Sequence, residues 1–257
     1  MRPLHILFFL CAMSVALPAN AEKITVAAAA DLKFAMDEIV TSFKQENVGD
    51  EVEVIYGSSG KFNTQIQQGA PYDLYFSADI AFPRALAKAG LAASEVTPYA
   101  FGRIVLWSAT MDATQMTLES LLDAGITRIA IANPRHAPYG KRAEEALRSS
   151  GLWEKVEPKL VYGENIAHTA QFVQSGNAQV GIIALALAVN PGLAGKGGYW
   201  LIPDKLHEPL EQGFIITKRA EGKPLAKRFS DYMSSKSARA VMTKYGFVLP
   251  DETLAQP

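Results

Sequence analysis

Short apolar runs typical of β-strands alternate with amphipathic runs typical of helices along most of the chain. Residues 24–28 and 52–56 are strand-like, and apolar side chains recur at helical spacing between Leu32 and Phe43. Neighbouring parallel strands need a long crossover connection, which is usually a helix. The alternation therefore predicts an α/β fold with mostly parallel sheets.

The pattern restarts after Arg103, which predicts a second lobe. About half of the 257 residues are hydrophobic, enough for the cores of two modest domains. Further strands are predicted at 74–76, 104–107, 129–131, 160–162, 180–184, 200–202 and 214–217. Further helices are predicted at 61–68, 80–88, 140–148, 166–174, 224–234 and 238–245.

The first residues are typical of a secretory signal peptide. Arg2 supplies a positive charge, residues 6–17 form a short apolar segment, and Ala19-Asn20-Ala21 fits a cleavage site. We therefore expect residues 1–21 to be removed after Ala21, and the mature protein to be periplasmic.

Composition excludes several classes of function. A net charge of −1 argues against nucleic acid, which needs clustered Lys and Arg. The single cysteine, Cys11, lies in the predicted signal segment, so the mature chain has no disulfide or Cys metal ligand. His136, His168 and His207 show no metal-binding spacing. We therefore expect no direct metal ligands.

The turn Gly57-Ser58-Ser59-Gly60 joins a predicted strand to a predicted helix. Taken alone it suits an ordinary helix cap best, and it also suits a cradle of N–H and hydroxyl donors for an anion. A phosphate-binding P-loop is excluded, because Ile55 and Phe62 stand where Gly and Ser or Thr are required. A nucleophile elbow would need Gly in place of Lys61. Binding without catalysis remains.

Three other predicted helix starts have similar character. Ala29-Ala30-Asp31-Leu32 follows the first strand, and residues 164–168 precede the helix at 166–174. The loop 133–140 is stiffened by prolines, and Pro138 places Tyr139 at a helix start. Each of these can be a structural connector or can face a ligand, and the Tyr139 N–H or O–H could donate to an anion.

Several short motifs occur together along the mature chain. They are Ala27-Ala28-Ala29-Ala30-Asp31-Leu32, Tyr56-Gly57-Ser58-Ser59-Gly60 with Gln65-Ile66, Gly69-Ala70-Pro71-Tyr72-Asp73-Leu74, Phe76-Ser77-Ala78-Asp79, Ile131-Ala132-Asn133-Pro134 with Ala137-Pro138-Tyr139-Gly140, and Tyr245-Gly246-Phe247. With these motifs the chain resembles the periplasmic molybdate-binding proteins of ABC importers over essentially its whole mature length.

The resemblance implies a two-lobed type II binding-protein fold with a ligand cleft between the lobes. Residues 22–102 plus 208–257 would form one lobe, and residues 103–207 the other. The implied protein is no enzyme and has no cofactor. It is a monomer that captures molybdate, and tungstate with it, and delivers the anion to the membrane permease of an ABC importer.

The resemblance also implies the site. Neutral donors at four helix starts would hold the oxyanion, and the matching positions are Asp31, Ser59, Tyr139 and Ile166. Ile166 would donate through its backbone N–H alone. Some members use a further tyrosine, where this chain has Ala184, and Tyr139 would substitute for it.

Asp31 departs from the family pattern, which places Ser, Thr or Asn there. A carboxylate facing a buried dianion is strongly repelled. Its side chain can turn inward as an N-cap, it can be protonated, or the ligand can be something other than a dianion. We expect the inward N-cap, because Asp is a favourable capping residue.

Two other functions stay open. One is a binding protein of the same fold for sulfate, phosphate or a small carboxylate. The other is an exported hydrolase that uses Ser59, which would need a histidine placed beside that serine.

Overall fold

The structure is a computed structural model that describes residues 22–193 and 197–252, in two lobes that are each built on a five-stranded sheet. The predicted signal segment, residues 1–21, lies outside the described residues. Within the described ranges, no helix combines the length and the apolar character that crossing a membrane requires.

The first sheet has the strand order β2-β1-β3-β10-β4. Its strands are β1 (Lys23–Ala29), β2 (Glu51–Gly57), β3 (Leu74–Ser77), β4 (Thr97–Gly102) and β10 (Leu210–Ile216). The helices of this lobe are α1 (Lys33–Glu46), α2 (Ser59–Gln67), α3 (Ala81–Lys88), α8 (Pro224–Tyr232) and α9 (Lys236–Lys244).

The second sheet has the order β7-β6-β8-β5-β9. Its strands are β5 (Ile104–Trp107), β6 (Ile129–Ala132), β7 (Leu160–Gly163), β8 (Val180–Ala184) and β9 (Tyr199–Leu201). The helices are α4 (Pro138–Ser149), α5 (Trp153–Val156), α6 (Ile166–Gln174) and α7 (Leu185–Ala188).

The predicted two-lobed α/β fold is confirmed, but each sheet is mixed rather than mostly parallel. β1 runs parallel to β2 and β3, whereas β10 runs antiparallel to β3 and β4. The second sheet repeats this division, with β5 antiparallel to β8 and β9. The antiparallel strands lie where the chain passes between lobes, so no crossover helix forces them to be parallel. The exact lobe boundaries stay a prediction.

Each lobe buries its own apolar core. In the first lobe, Phe76 stacks on Phe214 with ring centroids 4.6 Å apart. In the second lobe, every residue of β5, β6 and β8 is buried. Strands buried on both faces explain the continuous apolar runs in the sequence.

The two sheets present the carboxyl ends of their parallel strands to the cleft between the lobes. β1 ends at Ala29 and leads into a short 3-10 turn, Ala30–Leu32, before α1. β2 leads into α2, β6 into α4, and β7 into α6. Ligands of open α/β sheets bind in crevices outside such strand ends.

Candidate functional site

Four helix starts, two from each lobe, surround one small interlobe cavity. Asp31, Ser59, Tyr139 and Ile166 all line it, so the structure brings the four predicted residues together. The cavity measures about 10 Å³, which is room for about one water molecule.

Ser59 is the first residue of α2 and is almost fully buried. Its Oγ accepts a hydrogen bond from the Ala78 N–H at 3.0 Å, and its carbonyl accepts from the Tyr75 hydroxyl at 2.7 Å. Both contacts fix the serine and use only its acceptors. The Ser59 hydroxyl proton thus stays available for a ligand.

The lobes contact each other at the rim of the cavity. The Gly60 N–H donates to the His136 carbonyl at 2.9 Å, and the Ser58 hydroxyl donates to the same carbonyl at 2.5 Å. Lys61 and Glu164 form an ion pair across the cleft. These contacts define a closed form of the protein.

The histidine that a Ser59 hydrolase would need is beside the wrong serine. His136 Nδ1 lies 2.9 Å from Ser58 Oγ. The Ser58 hydroxyl has one proton, and its contact with the His136 carbonyl, at 2.5 Å, is shorter than its contact with Nδ1. A general base must accept the proton of its nucleophile, so this pair does not activate a serine.

Tyr139 has its backbone N–H at the cavity, but its hydroxyl is used elsewhere. The hydroxyl donates to Asp31 Oδ2 at 2.9 Å and accepts from Gln212 Nε2 at 3.0 Å. A Cβ on Gly102 would lie 2.2 Å from that hydroxyl, so a side chain there would displace it. Of the two Tyr139 donors, only the N–H remains free for an anion.

The expected inward N-cap at Asp31 is wrong. Asp31 lies inside the 3-10 turn, and no side chain caps that turn or α1. Its Oδ2 accepts instead from the Tyr139 hydroxyl and from Gln212 Nε2, each at 2.9 Å. These donors come from distant parts of the chain, and the Asp31 and Leu32 amides add a smaller stabilisation of the carboxylate.

Burial raises the pKa of the Asp31 carboxyl to about 6. The hydrogen bonds from Gln212 and Tyr139 act in the opposite direction, since they stabilise the carboxylate. Asp31 Oδ1 is buried and has no hydrogen-bond partner. Burial also raises the pKa of Tyr139 well above its ordinary value, so this phenol stays neutral.

The fourth helix start is capped by Asn165, whose Oδ1 accepts from the His168 N–H at 2.9 Å. Ile166 follows as the first residue of α6 and can offer the ligand only a backbone N–H. Ala184 ends β8, is fully buried and has no side-chain donor.

Gln212 is a residue of this site that the sequence reasoning missed. It is fully buried on β10 and contacts both Asp31 and Tyr139. The signal that could have revealed it is a single amide side chain in the first half of that strand, just before the apolar run 214–216.

The residues that line the cavity offer an anion no positively charged side chain. Of the described residues that line it, none is Lys, Arg or His. The described ranges also contain no cluster of three His, Cys, Asp or Glu side chains that could hold a metal ion. Neutral donors at helix starts are the means this cavity has for binding an anion.

Two hinged α/β lobes that close on a buried cavity define a solute-binding protein. Residues 24–248 match the family described as bacterial extracellular solute-binding protein, and the chain belongs to that family. The function of this family is binding rather than catalysis.

Particular relatives narrow the comparison. The chain is 37% identical to the molybdate-binding protein ModA of Rhodobacter capsulatus over 92% of both chains. It is 36% identical to the protein of the same name from Azotobacter vinelandii, over 91% of this chain and 93% of the other. A solved structure of the periplasmic molybdate-binding protein of Azotobacter vinelandii matches with a TM-score of 0.83 and 32% identity, covering 88% of this chain and 99% of that one.

Proposed function

We propose that this protein binds molybdate, and tungstate with it, in the periplasm and delivers the anion to the membrane permease of an ABC importer. The similarity to molybdate-binding proteins supports this function. The structural observation that carries it is the convergence of four helix starts from both lobes on one buried cavity lined by neutral donors.

Molybdate is a tetrahedral dianion whose oxygens only accept hydrogen bonds. The N–H groups at Asp31, Ser59, Tyr139 and Ile166 and the Ser59 hydroxyl are the proposed donors. A hydrogen bond to a charged group contributes about 1.5–3 kcal/mol. Since the donors belong to both lobes, the bound anion stabilises the closed form.

The primary test is thermal unfolding of the mature protein with molybdate, tungstate, sulfate or phosphate. We expect molybdate and tungstate to raise Tm, with about 2.7 kcal/mol of stabilisation at a hundredfold excess over Kd. Sulfate has the same acceptors in a smaller ion, so its effect should be much weaker. If neither molybdate nor tungstate raises Tm while another anion clearly does, that other anion is the ligand.

Ser59→Ala tests the proposed binding residues. We expect the variant to bind molybdate about ten- to a hundredfold more weakly by calorimetry, because one charge-assisted hydrogen bond is lost. The ligand-free protein should also be less stable by about 1–3 kcal/mol, because the buried Ala78 N–H loses its acceptor.

Ser230→Ala is the matched control. Its hydroxyl contacts only a carbonyl of its own helix, α8, in the first lobe. Unchanged molybdate affinity in Ser59→Ala would exclude the Ser59 hydroxyl as a donor.

A further inference from the structure

Asp31 places an ionisable group in the wall of a cavity that is otherwise built for an anion. The side chain is 1% exposed, and the residue lines the cavity together with Ser59 and Tyr139. Oδ2 is held by two donors, whereas Oδ1 is buried and makes no well-formed hydrogen bond, although the Asp31 and Leu32 amides also stabilise the carboxylate. A buried carboxylate oxygen without a donor is costly, so this atom needs an explanation.

Among the described residues, no Lys, Arg or His side chain pairs with this carboxyl. Tyr139 from α4 and Tyr99 from β4 are the titratable groups beside it, and the pKa of each is raised well above 10. Gln212 from β10 is neutral. At the cavity rim, Lys61 pairs with Glu164, and the exposed fraction of both side chains is close to one half.

A bound dianion would add two negative charges beside Asp31. Like charges repel strongly in a water-excluded site, because the surroundings screen them poorly. An ionised Asp31 and a closed, dianion-filled cavity are therefore incompatible, and one proton would remove the conflict.

We propose that Asp31 takes up one proton when the oxyanion binds, with the proton on Oδ1, so that the carboxyl donates to the ligand instead of repelling it. This inference rests on the proposed function. The proton comes from solvent, no covalent bond to the ligand forms, and the closed complex carries one charge fewer than its separated parts. Oδ2 keeps both of its donors, and Oδ1 gains the partner that it lacks.

The proton makes Asp31 a specificity-determining residue. Molybdate, tungstate and sulfate carry no proton near neutral pH, so each must recruit one from solvent. Hydrogen phosphate brings its own proton and can donate it to an ionised Asp31. The site thus distinguishes the two classes of oxyanion by pH as well as by size.

The test is calorimetric titration of the mature protein with sodium molybdate at several pH values, in paired buffers that differ in ionisation enthalpy. We expect an uptake close to one proton per molybdate at about pH 7.5, and an affinity that falls about tenfold per pH unit above that value. The sign follows from the raised pKa of Asp31: below about 6 the carboxyl is already neutral, and above it the proton must be supplied.

Asp31→Asn is the decisive variant, because the amide is neutral and of the same shape. We expect it to bind molybdate without proton uptake, with little pH dependence, and more tightly than wild type at about pH 8. His136→Gln tests the other titratable side chain at the rim, and it should retain the uptake of one proton.

The outcomes separate the inference from the proposed function. Molybdate binding with no proton uptake in the wild type would overturn the role of Asp31 and leave the function intact. Uptake that persists in Asp31→Asn would overturn it as well. Tight binding of phosphate without proton uptake, and none of molybdate, would overturn the function and support the ionised Asp31 as an acceptor.

Discussion

At the scale of single residues, the contact between Asp31, Tyr139 and Gln212 links the two lobes. Asp31 and Gln212 belong to the first lobe, and Tyr139 belongs to helix α4 of the second lobe. A carboxylate accepting from an O–H and an N–H is stabilised, so these donors limit how far burial raises the Asp31 pKa. The hydrogen bonds from Tyr139 and Gln212 to Asp31 leave the donors that face the ligand unchanged.

Tyr139→Phe separates the two donors of Tyr139. The variant keeps the backbone N–H at the cavity and removes the hydroxyl that donates to Asp31. With one donor fewer the carboxylate is less stable, so the Asp31 pKa should rise further. By calorimetry, we expect the onset of the pH-dependent loss of molybdate affinity to move to higher pH, by about one unit.

At low pH the affinity of Tyr139→Phe should stay within about threefold of wild type, because the N–H donor is unchanged. Tyr99→Phe is the control, since its hydroxyl contacts the Ser77 carbonyl at 3.3 Å and donates nothing to Asp31. An equal loss of affinity at every pH in Tyr139→Phe would instead mean that the hydroxyl itself binds the anion.

The sequence predicted some of these residues and missed the contacts of others, for a physical reason. Ser59 and Tyr139 follow from local turn chemistry, since a Gly-Ser turn and a Pro at the first helical position mark helix starts. The partners of Asp31 are 108 and 181 residues away along the chain, so no local pattern contains them. An N-cap was expected because only local partners were visible.

At the scale of elements, the strand and helix pattern was largely predictable. The helix at 166–174 and the strands at 104–107 and 180–184 have the bounds that their apolar patterns indicate. Strand β4 was missed, because its first residues are exposed and include Pro98. Strand direction at β5 and β10 was also missed, since it depends on how the chain crosses between lobes.

Two glycines allow close approach between elements, but at different places. A Cβ on Gly140 would lie 2.0 Å from the Ala132 carbonyl, so α4 can reach β6 only with glycine there. A Cβ on Gly60 would lie 2.7 Å from the His136 carbonyl, which belongs to the other lobe. Gly140 therefore serves the fold of the second lobe, and Gly60 serves closure.

Gly60→Ala tests this assignment. We expect ligand-free stability to change by less than about 1 kcal/mol, because the three atoms nearest the added methyl group all belong to His136 of the other lobe and alanine favours the helix. Molybdate affinity should fall at least about tenfold, because backbone at 2.7 Å cannot yield without parting the lobes. Calorimetry and thermal unfolding measure the two effects separately.

Gly125→Ala is the matched control, since a Cβ there meets nothing within 4 Å. Gly140→Ala should show the reverse pattern, with a marked loss of ligand-free stability. If Gly60→Ala binds molybdate as tightly as wild type, the approach of α2 to His136 is not needed for binding.

At the scale of the whole molecule, closure combines polar contacts between the lobes with apolar packing, since Ala29, Ala30 and Ala78 of the first lobe pack into the core of the second. The Lys61–Glu164 pair is half exposed and contributes about 0–1 kcal/mol. The hydrogen bonds at His136 and the contacts of Tyr139 with Asp31 and Gln212 are further polar links between the lobes. A ligand that bridges the lobes can therefore control the balance between open and closed forms.

Closure of the ligand-free protein should depend on pH through Asp31. Its pKa is about 6 in the closed form, and we expect opening to expose the carboxyl and return its pKa toward the ordinary value near 3.8. A group whose pKa is raised in the closed form favours closure when protonated. That contribution is complete below the open-form pKa and is lost as pH rises through about 6.

Near pH 8 the buried charge of Asp31 should disfavour closure by about 3 kcal/mol, because its pKa differs by roughly two units between the closed and open forms. His136 acts with the opposite sign, because burial lowers its pKa and its protonation on acidification opposes closure.

The measurement is small-angle scattering of ligand-free protein at about pH 5.5 and 8, in a His136→Gln background that removes the opposing group. We expect the radius of gyration to increase with pH when Asp31 is present and to stay at the compact value in Asp31→Asn. An equal increase in both proteins would assign the pH-dependent opening to groups other than Asp31.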